Sequence, residues 1–251
     1  MQLNSDSTAS VDLTIDIKGA IAGTNDSLTL TTDKNGADLK SNAVTVKAGG
    51  VETINVASSS ETGADAFNLG GITDAQLTTI NVSGKGAVDL GTIAAAGVTT
   101  VNAANASGGV TADLSNSTKA VTFTGGDGAD VYTASTMGDT IYGGKGADTI
   151  TLSTGADVLV YKAAAESTAT TKDTINSFNV TADLIKFDAS LLKGTATYLG
   201  AGAFTAGGST ELNFSGSDLQ VDLNGDGTAD MVITLTGVTS AMFGATNFTF
   251  A

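Results

Sequence analysis

The chain has 251 residues, is 41% hydrophobic and 5% aromatic, and contains no Cys, His, Pro or Trp. Disulfides, thiolate or imidazole metal sites and Ser-His-Asp or Cys-His catalysis are therefore excluded. Its formal charge is −15, from 22 Asp and 4 Glu against 11 Lys, a surface that repels nucleic acid and anionic membranes.

The amino end, "MQLNSDSTASVDLTIDIKG", has neither the basic nor the apolar region of a signal peptide. It reads as cut from a longer chain, so an exported protein would carry its address elsewhere. No apolar run approaches the roughly 20 residues of a membrane span. Thr, Val and Ile replace the Leu-rich pattern of amphipathic helices, which marks an all-β chain. Residues 1–50 are expected to form an irregular β-strand region.

From Val51 a repeat emerges. "VETINV" (51–56), "LTTINV" (77–82) and "VTTVNA" (98–103) align without gaps. Between them lie "AFNLGG" (66–71), "AVDLGT" (87–92) and "VTADLS" (110–115). Each unit thus holds two short strands separated by turn residues. One unit cannot bury its own apolar face, whereas stacked units can, which is the logic of a parallel β-solenoid over 51–124.

Residues 125–160 then split into nonapeptides: GGDGADVYT, ASTMGDTIY, GGKGADTIT and LSTGADVLV. The sixth position is Asp130, Asp139, Asp148 and Asp157; the eighth is Tyr132, Ile141, Ile150 and Leu159. A period of nine fits neither a helix nor a strand. Two nonapeptides make one coil, so turns on one edge stack 18 residues apart, Asp130 over Asp148 and Asp139 over Asp157. Glycines let such turns take positive φ and aim carbonyls inward. Short carboxylates crowded into stacked turns point to a hard cation that takes many oxygens; plain solvated turn aspartates are the alternative.

Past Tyr161 the repeat stops. "KAAAES" has the helix propensity of a short segment. "TELNF" (210–214), "LQVDL" (219–223) and "MVITLTG" (231–237) alternate as strands, the last two reading as a hairpin. Residues 162–251 are expected to form an antiparallel β cap. Within it, Asp222, Asn224, Asp226 and Asp230 occupy positions 1, 3, 5 and 9 of a calcium loop, with the Thr228 carbonyl at position 7 and Gly227 at the sharp turn. Ile233 stands where an EF-hand needs its Glu. The loop is either a calcium loop of another kind or an ion-free hairpin turn.

The nonapeptides resemble the G-G-x-G-x-D-x-U-x repeat of the RTX family, two of them closely and two with Asp retained but glycines lost. The resemblance implies a right-handed parallel β-roll, residues 125–161, with calcium between stacked turns. The implied ligands are Gly126, Gly128 and Asp130 with Gly143, Lys145 and Asp148 on one edge, and Asp139 with Asp157 on the other. The segment "KDTINSFNVTADLIKFD" resembles the post-repeat region of serralysin-type RTX exoproteins. By that likeness Asp173 and Asp183 close the last calcium sites, with carbonyls of Gly144, Gly146 and Gly155.

The long Thr/Ala/Gly-rich solenoid before the roll resembles RTX-type surface-layer proteins of Gram-negative bacteria. That likeness implies a non-enzymatic, calcium-binding structural protein, secreted to the cell surface and self-assembling into a two-dimensional lattice. The carboxyl-terminal region would address the type I secretion apparatus, and a missing amino-terminal part would hold surface polysaccharide. Nucleic acid is not an expected partner. The alternative is a calcium-dependent folding and secretion module of an RTX exoenzyme or adhesin. Residue types alone would permit a paired-carboxylate glycosidase, but the Asp residues are accounted for by turns. "GGKGAD" is not a phosphate loop.

Overall fold

The computed structural model describes residues 2–3, 14–17, 25–32, 45–59 and 67–251. The expected strands of residues 1–50 therefore fall largely outside the described residues. Where strands are described there, Ser27–Thr32 pairs in parallel with Thr53–Ser58.

Two ten-stranded sheets run the length of the molecule. One takes Gln2–Leu3, Ser27–Thr32, Thr53–Ser58, Thr79–Gly84, Thr100–Ala106, Thr122–Thr124, Thr140–Tyr142, Val158–Tyr161, Leu184–Phe187 and Phe248–Phe250 in that spatial order, all parallel. The other begins at Phe67–Asn68 and Val88–Thr92, passes through Val110–Asp113, Val131–Thr133, Thr149–Thr151 and Asp173–Asn176, and ends in the carboxyl-terminal strands. A third, three-stranded sheet joins Thr14–Ile17, Thr45–Ala48 and Gly71–Thr73. From Thr79–Gly84 to Leu184–Phe187 successive strands alternate between the two large sheets, so the chain winds as the repeat requires. This is an all-β parallel solenoid, as the sequence leads one to expect.

Period-two alternation explains the register. Ile54, Ile80, Val101, Phe123, Ile141, Leu159 and Ile185 are Cα partners along one sheet, and each is buried. Ala112, Tyr132, Ile150, Ile175 and Leu235 do the same on the other. The eighth residue of each nonapeptide is thus a rung of the core. Burying each large rung is worth about 1.5–3 kcal/mol, gained only when neighbouring coils are in place.

The nine-residue motif stops at Tyr161, but the parallel strands do not. Asp173–Asn176 and Leu184–Phe187 continue both sheets beyond the last nonapeptide. The carboxyl-terminal part is also less purely antiparallel than its sequence suggests. Glu211–Ser215, Asp218–Asp222 and Met231–Leu235 form an antiparallel meander, yet Met231–Leu235 joins Asp173–Asn176 in parallel. Phe248–Phe250 likewise joins Leu184–Phe187 in parallel. Alternation identifies a strand without revealing its partner's direction. The "KAAAES" segment is a single 3-10 turn, Ala164–Glu166. At this end Phe243 stacks among Phe214, Tyr198 and Phe248, with ring centroids 5.1, 5.6 and 6.2 Å away, closing the core. Among the described residues no helix is long and apolar enough to cross a membrane.

Candidate metal centre

The sixth-position aspartates form two ladders, one on each edge. On the first, the backbone N–H of Asp130 donates to Asp148 Oδ1 (2.9 Å), and that of Asp148 donates to Asp173 Oδ1 (3.0 Å). On the second, the N–H of Asp139 donates to Asp157 Oδ1 (2.8 Å), and that of Asp157 to Asp183 Oδ1 (2.9 Å). Val110 and Val121 supply the first donors, to Asp130 and Asp139. All six aspartates are buried. The structure thus brings Asp173 and Asp183 into register with the nonapeptide aspartates. None of the six is a solvated turn residue.

The second oxygens separate the two edges. On the first edge Asp130 Oδ2 accepts from the Gly126 N–H (3.0 Å) and Asp173 Oδ2 from the Tyr161 hydroxyl (2.9 Å). Asp148 Oδ2 is buried and has no donor. On the second edge Asp139 accepts four donors: the N–H groups of Val121 and Ser135 and the hydroxyls of Ser135 and Tyr132. Asp157 Oδ2 takes the Ser153 N–H (3.2 Å), and Asp183 Oδ2 the Asn179 N–H (2.7 Å). The serines fill the roles left by the missing glycines.

Electrostatics follow the same division. Burial, reinforced by the charges of Asp173, Asp130 and Glu166, pushes the Asp148 carboxyl up to about 8, against one N–H bond that favours its anion. Burial raises Asp173 to about 7 and Asp130 to about 6, each held back by hydrogen bonds to its oxygens. Asp157 and Asp183 are also raised, by burial first. A buried carboxylate is retained as an anion only when a positive partner or several donors meet it. Asp148 has the fewest donors and the largest shift of these aspartates.

The turns around Asp148 are shaped to leave room. A Cβ on Gly143 would stand 2.2 Å from Asp148 Oδ2, and one on Gly125 2.3 Å from Asp130 Oδ2. Gly144 and Gly146 take positive φ, 95° and 130°, and lie directly over Gly126 and Gly128, whose carbonyl oxygens a Cβ would strike at 2.1 and 2.3 Å. Gly155 lies over Met137 and Gly138 in the same way. The Gly126 carbonyl accepts from the Lys145 N–H (2.9 Å), while the Lys145 ammonium turns outward to Asp127 (3.0 Å). An unpartnered buried carboxylate oxygen inside a glycine cradle of stacked carbonyls fits a hard, oxygen-seeking cation such as calcium. The protein ligands would come from Asp130, Asp148 and the turn carbonyls of residues 126–128 and 143–146, and the ion would supply the charge that the ladder lacks.

Three participants escape a motif reading. Tyr132 and Tyr161 occupy core positions, but their hydroxyls reach Asp139 and Asp173. Their signal is a phenol where the pattern asks only for an apolar residue. Glu166 is buried, accepts from the Tyr142 hydroxyl (2.8 Å) and the Lys162 N–H (2.7 Å), and adds its charge beside Asp148. Its signal is rarity, since Glu occurs 4 times in the chain.

The 222–230 loop is organised differently. Asp222 is buried and accepts from the N–H groups of Gly225 (2.6 Å), Asp226 (3.3 Å) and Gly227 (2.7 Å). Asp230 accepts from the Leu223 and Asn224 N–H groups and the Asn224 amide, and Asp226 accepts from Thr228. The Lys193 ammonium donates to the Asn224 carbonyl (2.6 Å). These five residues share one loop, yet their carboxylates face backbone amides. Among the described residues no three acidic side chains gather as a metal cluster.

A model of the family described as Peptidase M10 serralysin C terminal matches residues 44–245. The match covers most of the chain, which therefore belongs to this family, the non-catalytic repeat region of such proteins. Comparison with curated proteins gives no match.

Proposed function

We propose that this member of the serralysin C-terminal family is a calcium-folded, secreted structural protein of a bacterial surface layer. The supporting observation is the first-edge ladder, where buried aspartates meet glycine turns and Asp148 Oδ2 lacks a partner. Calcium at this edge, held by Asp130 and Asp148 with carbonyls of Gly126, Gly128, Gly143 and Lys145, turns binding free energy into folding free energy. Asp139 and Asp157 on the second edge hold an ion less strongly, because hydroxyl and amide donors already meet them. Extracellular modules bind calcium at roughly 10⁻⁴–10⁻³ M, so such a chain stays unfolded inside the cell and folds outside.

The coat reading draws on the parallel solenoid that precedes the roll, with strands from Ser27–Thr32 to Thr100–Ala106. At −15 per chain, copies repel one another, and divalent ions can bridge carboxylates between neighbours where sodium can only screen. Sheets seen by electron microscopy should form with millimolar calcium, dissolve with chelator, and fail to form in sodium chloride of equal ionic strength. Equal assembly in sodium chloride would remove the bridging role. Folded monomers in both salts would favour the second reading, a folding and secretion module of an exoenzyme or adhesin. The family's peptidase name supports that rival.

A further inference from the structure

We infer that the carboxyl-terminal meander holds a calcium-class cation of its own, bound by Glu211, Asp222 and the side-chain oxygen of Asn213. The antiparallel register sets Glu211 directly opposite Asp222 and Asn213 opposite Gln220. Alternation sends Leu212, Phe214, Leu219 and Val221 into the apolar core, leaving Glu211, Asn213 and Asp222 on the other face. A polar face of a meander is ordinarily wet, but here the three residues are only 8, 7 and 0% exposed. The stretch before the strand covers them. Thr205 donates its N–H (2.7 Å) and hydroxyl to Glu211, the Asn213 amide donates to the Gly202 carbonyl (3.0 Å), and the Gly208 N–H donates to the Gly225 carbonyl (2.9 Å).

Two buried carboxylates placed directly opposite each other repel and are costly without a positive partner. Among the described residues the ion pairs are Lys145–Asp127 and Lys172–Asp218, so neither Glu211 nor Asp222 has one. At the meander Lys172 is taken by Asp218, and Lys193 donates to the Asn224 carbonyl. The second observation is independent of charge: Asn213 Oδ1 is buried with no donor at all. An unmet amide oxygen in the same covered layer as two carboxylates that no lysine meets is a set of hard oxygens, and calcium takes carboxylate, amide and carbonyl oxygens together. Each carboxylate keeps lone pairs beyond those its N–H and hydroxyl donors use. A buried water would satisfy Asn213 Oδ1 but would bring no positive charge to Glu211 and Asp222, which are met only by N–H and hydroxyl dipoles.

The test counts calcium bound per full-length chain by equilibrium dialysis and follows folding by circular dichroism. Glu211→Gln and Asn213→Leu should each bind one ion fewer than the parent while keeping the β-signal in calcium. Asp148→Asn should lose roll calcium and retain the meander ion, which separates this site from the roll. Asn213→Asp, which adds a carboxylate, should tighten the meander site by on the order of tenfold and enlarge the rise in melting temperature that calcium produces. Unchanged ion counts in both Glu211→Gln and Asn213→Leu would overturn the inference. Should those two variants fail to fold, Asn213→Asp decides: a loss of stability equal with and without calcium would mean that no cation sits there.

Discussion

Protons and calcium should be alternative ways to neutralise the first-edge ladder, so a calcium-depleted chain should be more stable in mild acid than in mild base. Asp130, Asp173 and Asp148 are raised from 3.8 to about 6, 7 and 8. A carboxyl raised on folding binds its proton more tightly in the folded state. Its stabilising contribution is complete below the unfolded value and is lost as pH climbs through the folded value. The window runs from about pH 4 to 8. One pKa unit corresponds to about 1.4 kcal/mol; because the three carboxyls share part of their shifts through mutual repulsion, the combined loss is on the order of 5–10 kcal/mol. That rivals the whole stability of an ordinary domain. The assay is thermal unfolding by circular dichroism on resin-depleted protein at pH 5 and pH 8.5, with and without calcium. The roll should melt far lower at pH 8.5 than at pH 5 without calcium, and calcium should erase most of the difference. Equal melting temperatures in depleted protein at the two pH values would refute the reasoning.

Asp148→Ala should weaken calcium binding more than Asp157→Ala, since Asp157 Oδ2 has an amide donor and Asp148 Oδ2 has none; equal losses in a titration would show that donor count does not rank the edges. Gly143→Ala places a methyl 2.2 Å from Asp148 Oδ2, whereas Gly244→Ala meets nothing within 4 Å. The first should therefore abolish tight calcium binding and the second leave it unchanged, as read by calorimetry. Asp226→Ala, on an exposed turn whose carboxylate serves Thr228, should alter calcium stoichiometry not at all; a lost ion would show that the 222–230 loop binds calcium after all.

The parallel solenoid was legible because each coil repeats one instruction, an apolar residue flanked by Thr or Asn between turn residues. Ile54, Ile80 and Val101 could be aligned from the sequence, and they are partners in the sheet. The aspartate spacing was legible for the same reason. The meander's connections were not. Met231–Leu235 alternates like any hairpin strand, and nothing local says that its other neighbour is Asp173–Asn176, in parallel. Nor could spacing reveal what a carboxylate faces. Asp222 and Asp226 have calcium-loop spacing, but Asp226 turns to Thr228, while Asp222 takes the Gly225 and Gly227 amides and lies opposite Glu211 across the meander. Tyr132 reads as core, and only three dimensions place its hydroxyl on Asp139, 2.8 Å away.

The two edges of the roll meet one electrostatic demand by different means, and the difference bears on how folding is made conditional. Each sixth-position carboxylate must approach the backbone N–H of the preceding coil to set the register, which buries it. On the second edge the Ser135 and Tyr132 hydroxyls meet Asp139 and the Ser153 N–H meets Asp157, so that edge leans less on an ion. On the first edge Gly126 gives Asp130 an N–H and Tyr161 gives Asp173 a hydroxyl, but Asp148 Oδ2 has no donor and must find its compensation outside the polypeptide. Replacing Ser135 with glycine would remove a hydroxyl from Asp139 and make the second edge lean more on calcium, whereas Ser153→Gly keeps the N–H that meets Asp157. Placing Ser at Gly143 would not free the first edge from calcium, because its Cβ already collides with Asp148 Oδ2. The Asp139 turn is held by the chain's own hydroxyls, while the Asp148 turn waits for the ion.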